Sequence, residues 1–279
     1  MAMLIQRASA LTFLICLTSA LLWSCATAQE VEDESEFNYI RESKKGPTRW
    51  GEIKKEWAMC NNGDMQSPID LSSKRVKVVK SLGQLKKKYK PSMAILKNRG
   101  HDITIKWEGD AGSIEINGTN YVLQQAHWHS LSEHTLNGRS YDLEVHLVHQ
   151  SSNPDVKYPI AVVGMFYKIG RPDSFLTKMS RKIKELGEEK EKKAGRIDPR
   201  GIKMGGEKYY RYMGSLTVPP CTEGVIWNIN KKVQTVSREQ LSLLRSAVHD
   251  SAERNARPIQ PHNGRQVDLY DPNPTNIIN

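Results

Sequence analysis

The sequence of 279 residues has no apolar stretch that reaches the roughly 20 residues a membrane-spanning helix needs. A multi-pass membrane protein is thereby excluded. It has no internal repeat, and beyond Trp50 no Pro, Gly or Ser tract of linker length interrupts it, which argues for one domain. Cysteine is scarce, with four in the whole chain. What is present is a charged, globular composition: 38% hydrophobic and 26% charged, too apolar for overall disorder. Lys and Arg number 41 against 31 Asp and Glu, a formal +10 that speaks to solubility and attraction of anions rather than to fold.

The amino terminus reads as a secretory signal over residues 1–28. Arg7 precedes an apolar stretch from Ala8 to Trp23, and Ala26-Thr27-Ala28 gives the small-residue cleavage pattern before Gln29. The alternative, a membrane anchor, meets a stretch too short to span and no stop-transfer flank. Cys16 and Cys25 leave with the signal, so Cys60 and Cys221 remain as the one pair in an oxidising compartment and are expected to join. Asn117-Gly118-Thr119 is an acceptable N-glycosylation sequon in a turn between two strand-like runs. Residues 29–45, acidic then basic, read as a flexible arm; 46–270 form the domain and 271–279 a tail, with order expected to begin near Trp50.

Alternation marks the middle of the chain. His101, Ile103, Ile105 and Trp107 share one parity, as do Tyr121, Leu123, Gln125, His127 and His129 after the Ile114/Ile116 run, so these are strands. The continuous run Ile160 to Phe166 suits a strand covered on both faces. Helical spacing appears at Leu176, Met179, Ile183 and Leu186, and again at Leu241, Leu244 and Val248 behind a capping box at Ser237 to Gln240. The stretch Glu188 to Arg196 reads as a solvated loop. The fold class is mainly β with peripheral helices (α+β).

Six of the eight histidines fall between positions 101 and 149. On a strand, residues two apart leave the same face about 6.5 to 7 Å apart, so His127 and His129 can converge on one point. His146 offers a third imidazole from an adjacent antiparallel strand. Three imidazoles with a vacant fourth position form the pattern of a catalytic zinc, although iron, copper or nickel also accept imidazole. Gln125 and Glu144 lie on the same faces as the histidines and can accept the second N–H of a ligand. His149 has the opposite parity to His146 and should point elsewhere.

Together these segments resemble the alpha-class carbonic anhydrases. The likeness is carried by Gln125-Ala126-His127-Trp128-His129-Ser130-Leu131-Ser132-Glu133-His134-Thr135, by Glu144-Val145-His146-Leu147-Val148-His149, and by Gly214 to Gly224 with Pro219-Pro220-Cys221 and then Trp227. Gln66-Ser67-Pro68-Ile69 and Asn255-Ala256-Arg257-Pro258 match outlying motifs, and the wording is closest to secreted plant-type members. The resemblance implies a large, mostly antiparallel twisted central sheet of about ten strands. It implies a zinc (Zn2+) lyase, carbonate dehydratase, that converts carbon dioxide reversibly to bicarbonate and a proton through zinc-bound hydroxide. His127, His129 and His146 match the ligands, and Gln125, Glu144 and the Asn255 carbonyl match their partners. Thr217 with Glu133 matches the pair that orients the hydroxide, and His101 the proton shuttle. Val148, Val162, Leu216, Thr217, Val218 and Trp227 match the substrate pocket.

Three positions depart from the pattern. Val218 replaces a frequent second threonine, Leu131 a common proline, and Arg99 a frequent cleft asparagine, the last expected to add positive charge near the shuttle. The resemblance further implies a protein of the secretory route, monomer or dimer, without stable membrane insertion after signal removal. Its destination is the extracellular space or apoplast, with a plastid reached by that route as the alternative. Two rivals stand: a storage or carbohydrate-binding protein, against which the complete ligand set argues, and a polyanion binder using Lys86 to Lys90 and Lys178 to Lys184. A nucleic-acid partner is not expected of a secreted chain.

Overall fold

The computed structural model describes Glu30 and residues 36–187, 189–248 and 254–274. The signal stretch 1–28, residues 29 and 31–35 of the arm and the end of the tail, 275–279, lie outside the described residues. Eight strands carry most of the sheet: β1 Ser92–Asn98, β2 Ile103–Trp107, β3 Thr119–His129, β4 Leu143–Ser151, β5 Ile160–Ile169, β6 Glu191–Ile197, β7 Tyr209–Ser215 and β8 Glu223–Val236. Their spatial order is β6-β1-β2-β3-β4-β5-β8-β7, continued by Val267–Tyr270 and Val76–Val78. With Ser113–Ile116 beside β3 and Lys86–Lys87 paired to Ser113–Ile116, the sheet has twelve strands among the described residues.

The sheet is mixed rather than purely antiparallel. β5 runs parallel to β8, and Val267–Tyr270 runs parallel to Val76–Val78. A parallel pair needs a long crossover, and the chain between β5 and β8 supplies it with helix α1 (Ser174–Leu186), β6 and β7. β5 is covered on both faces, as its unbroken apolar run predicts. Ala161, Val163 and Met165 enter a core shared with α1 and with helix α2 (Arg238–Ala247), while Ile160, Val162 and Phe166 enter a second core on the other side.

Both helices begin where their caps dictate. The Asp173 carboxylate accepts from Phe175 N and Leu176 N at 2.9 and 2.8 Å, and Ser237 with Gln240 forms a reciprocal capping box. Each apolar stripe faces the first core: Leu176, Met179, Ile183 and Leu186 from α1, Leu241 and Leu244 from α2. Among the described residues no helix is long and apolar enough to cross a membrane.

Two expectations are corrected. The stretch read as a solvated loop contains β6, which pairs with β1 at the edge of the sheet. Its charges mislead because an edge strand is guarded against pairing with other chains by such residues, and only Ala194 and Ile197 are buried. The alternation from Tyr121 to His129 also breaks once. Pairing of β3 with β4 steps from Leu123–His149 to Gln125–Val148, a bulge at Gln124. Tyr121 and Leu123 join the first core together with Ala126 and Trp128, so the odd-numbered residues change face across the bulge. Without that extra residue His127 and His129 would emerge into the apolar core.

A third cluster holds Phe37, Trp50, Trp57, Val218 and the disulfide-bonded Cys60 and Cys221. The bridge closes 161 residues, for which the chain-entropy model gives about 5 kcal/mol. Trp50 Nε1 donates to the carbonyls of Asn38 and Lys45 at 3.1 and 3.0 Å, so packing reaches back to Phe37.

Candidate metal centre

The register between β3 and β4 assembles the site. His127 lies directly opposite His146, and His129 opposite Glu144, while Ala126, Trp128, Val145 and Leu147 anchor the same strands in the core behind. The three imidazoles are at most 1% exposed, with ring centroids 4.6 to 5.2 Å apart. One ring nitrogen of each is engaged from behind. His127 Nδ1 meets Gln125 Oε1 at 2.7 Å, His129 Nδ1 meets the Asn255 carbonyl at 2.8 Å, and His146 Nε2 meets Glu144 Oε1 at 2.8 Å. Donation to those oxygens leaves His127 Nε2, His129 Nε2 and His146 Nδ1 with free lone pairs facing one another. Burial lowers His127 well below the usual imidazole range, which favours the neutral ring that metal binding needs.

The fit to a metal ion rests on an orphan. His129 Nε2 is buried with no hydrogen-bond partner, and so is Glu133 Oε2, 3.5 Å from it and 3.9 Å from His146 Nδ1. A buried polar nitrogen without a partner is costly, and a cation among the rings removes that cost. His127, His129 and His146 each bring one candidate ligand atom within 4.8 Å of the others. A second group, His134, Glu144 and His146, meets the same distance test but is already satisfied within itself. Glu144 accepts from His134 Nδ1 and main-chain N at 2.8 and 2.9 Å, and His134 Nε2 meets Tyr212 Oη at 2.6 Å. It is a hydrogen-bonded buttress behind His146.

Glu133 is fully enclosed. Burial pushes its pKa up to about 7, against the pull of His129, the Thr217 hydroxyl and the Arg257 main-chain N–H, the last at 3.0 Å. Beside it, Val162, Leu216 and Trp227 form an apolar wall with the half-buried Val148 packed against them. Trp227 stands edge-on to His146 at 4.8 Å and is pinned by its Nε1 donating to Ser215 O at 2.9 Å. Val218 belongs to the third cluster. Gly164 on β5 faces this assembly, where a Cβ would stand 2.6 Å from Ile229 and 3.2 Å from Glu144 Oε1.

The outlying motifs meet here as well. The Arg257 guanidinium donates to Gln66 Oε1, Ser67 O and Cys60 O at 2.7 to 2.8 Å. The Asn255 side chain accepts from Ser130 N at 2.7 Å and donates to the carbonyls of His101 and Trp128 at 2.6 and 3.1 Å. The peptide bond between Ser130 and Leu131 is cis. His149, on the opposite face, bonds Tyr89 at 2.7 Å and the Ala161 carbonyl at 3.2 Å.

His101 is enclosed rather than solvent-facing. It is 2% exposed, packs 5.0 Å from the Phe37 ring, has no hydrogen-bond partner at either ring nitrogen although Nε2 lies 3.6 Å from Asp102 Oδ2, and is pushed down to about 4 by burial. Arg99 does not leave an excess of positive charge beside it. The guanidinium pairs with Asp102, through Nε to Oδ1 at 2.8 Å and Nη2 to Oδ2, and with Glu30 at 2.7 Å, so two carboxylates answer one cation. Sequence reasoning missed Glu30, one acid of an acidic arm, for which no signal existed. Asp102, three residues beyond Arg99, was visible as a spacing.

A sheet of this topology with three converging imidazoles defines a class of protein, and the comparisons agree. Residues 45–270 match the family model for eukaryotic-type carbonic anhydrase, and the chain belongs to that family, in its alpha class, whose activity is that of a lyase, carbonate dehydratase. Among individual relatives, the chain is 56% identical over 245 residues to alpha carbonic anhydrase 7 of Arabidopsis thaliana, covering 87% of this chain and 88% of that protein. Two solved structures are similar. Dioscorin complexed with ascorbate matches with a TM-score of 0.82 at 43% identity, over 86% of this chain and all of that one. The alpha carbonic anhydrase of Thermovibrio ammonificans with the inhibitor sulfanilamide matches with 0.74 at 37%, over 83% of this chain and 98% of that one.

Proposed function

We propose that this chain is a zinc enzyme that hydrates carbon dioxide to bicarbonate and a proton, with His127, His129 and His146 as the ligands. The observation that carries the reading is the orphaned His129 Nε2, buried between two rings whose own second nitrogens are engaged from behind. Zinc held there supplies, as in carbonic anhydrases generally, a water that ionises near neutral pH. The chain's residues do the rest. Gln125, the Asn255 carbonyl and Glu144 hold each imidazole in the tautomer that leaves the inward nitrogen bare. The Thr217 hydroxyl donates a hydrogen bond to the Glu133 carboxylate, keeping its proton, and its oxygen is then left to accept from the attacking oxygen, which would turn that oxygen's lone pair toward the substrate.

Carbon dioxide is small and apolar, and the wall of Val148, Val162, Leu216 and Trp227 suits it by excluding water. Val218 presents no hydroxyl to bicarbonate. His101 carries the departing proton onward after its ring leaves the enclosure of Phe37, since a ring that titrates near 4 is a poor acceptor at neutral pH. The chain enters the secretory route by cleavage after Ala28, bears a glycan at the exposed turn residue Asn117, and acts in the apoplast as monomer or dimer.

Stopped-flow hydration of carbon dioxide with a parallel zinc assay tests the reading. His127→Ala loses both metal and rate. Thr217→Ala keeps the metal and loses at least 10-fold in rate, about 1.4 kcal/mol of barrier. His101→Ala regains rate on addition of imidazole buffer. An intact protein that holds zinc yet shows no hydration above buffer would overturn the enzyme and favour the storage role.

A further inference from the structure

Glu30, in the amino-terminal arm, reaches the residue that backs one of the three imidazoles. We propose that Glu30 is a positioning residue for the ligand His127: its carboxylate, clamped by Arg99, decides which end of the Gln125 amide faces the imidazole. This deepens the metal-centre reading and rests on it.

An amide side chain has two ends of nearly equal size and opposite polarity. With Oε1 toward the ring, His127 keeps its proton on Nδ1 and leaves Nε2 bare. Turned over, the amide would offer N–H to Nδ1, and a neutral imidazole would then carry its proton on Nε2, where the metal must bind. Something has to choose between the two. Gln125 Nε2 donates to Glu30 Oε2 at 3.0 Å while Gln125 Oε1 meets His127 Nδ1 at 2.7 Å. An ionised carboxylate only accepts, so the turned-over amide would set oxygen against oxygen in a buried place.

The carboxylate can act as a fixed reference because it is itself held. Arg99 Nη1 donates to the same Glu30 oxygen at 2.7 Å. Arg99 is locked by Asp102, whose Oδ1 also accepts from Thr104 Oγ1 at 2.8 Å, and Thr104 on β2 stands opposite His127 on β3. The side chains of Arg99, Glu30 and Asp102 are 4%, 9% and 0% exposed. The connection runs from the sheet, through an ion cluster, back to the ligand. It also gives Arg99 a task that an asparagine at that position could not perform, since an amide cannot hold two carboxylates at once.

The test is equilibrium zinc affinity, measured by competition with a chromogenic chelator, on protein secreted from the full chain. Wild type, Glu30→Ala, Gln125→Ala and the double variant are compared, with thermal melts of the metal-free forms alongside. Loss of an outer partner of a ligand typically weakens metal binding 10- to 100-fold, and a residue one step further out should cost about 3- to 10-fold. Glu30→Ala is expected to weaken zinc by that factor, and the double variant to bind no more weakly than Gln125→Ala alone. If Glu30→Ala does not fold, Glu30→Gln takes its place with the same expectation, because its amide can meet Gln125 in either orientation. Unchanged affinity, or a loss that adds in full to that of Gln125→Ala, overturns the proposal. So does equal acceleration of zinc capture and release at constant affinity, which would make the arm a cover only. A wild-type protein that binds no zinc overturns the metal-centre reading itself.

Discussion

Each of the three imidazoles is held by a different kind of acceptor: an amide oxygen, a main-chain carbonyl and a carboxylate. The carboxylate serves two rings, so Glu144→Gln should do more than weaken zinc. It leaves a buried His134 donor without its charged partner, and a loss of about 1 to 3 kcal/mol in unfolding free energy is expected from urea titration of the metal-free protein. His149 gives a second prediction at this scale. It is fully buried and pushed down to about 4 by burial, against 6.5 for a free imidazole. Between those values the unfolded chain binds more protons than the folded one, so stability rises with pH through that window and levels off above it, by about 3 kcal/mol in all. His149→Gln should flatten the rise between pH 4.5 and 7; an unaltered slope would refute it. The histidines were legible because their type and parity are visible in the sequence. Glu30 was not, because its partner lies 69 positions away and nothing local ties them.

Among the elements, β3 is the informative one. A period of two was readable on either side of Gln124, and the bulge between was not, because a single polar residue in a strand carries no mark of being the extra one. The consequence of missing it was to put Tyr121 and Leu123 on the face of the histidines. β6 was missed for the converse reason: with two buried residues of seven it shows no alternation to read. Close approach across β4 and β5 makes Gly164 a further test. Gly164→Ala should push Glu144 off His146, lower zinc affinity in the chelator assay and cost about 1 to 3 kcal/mol of stability. At the start of α1, Asp173→Ala should cost about 1 kcal/mol, read from the shift in urea midpoint, with zinc affinity unchanged.

Over the whole molecule, the basic balance is less available to an anionic partner than the composition suggests. Lys86 pairs with Glu115 and Lys90 with Asp110, and Arg181 pairs with Glu185 on α1. Such exposed pairs contribute little stability, but they break a continuous positive field. The general fold was legible because a mainly β class with few helices follows from periodicity. The parallel contact of β5 with β8 was not, since strand order is a property of distant pairings. The bridge from Cys60 to Cys221 spans most of the domain and lies beside the residues that bond Arg257. It has a practical corollary for handling the protein. A protease that cuts once anywhere between residues 61 and 220 leaves two pieces still covalently joined. A nicked sample will migrate as one species on a denaturing gel until a thiol is added, and only then fall into fragments.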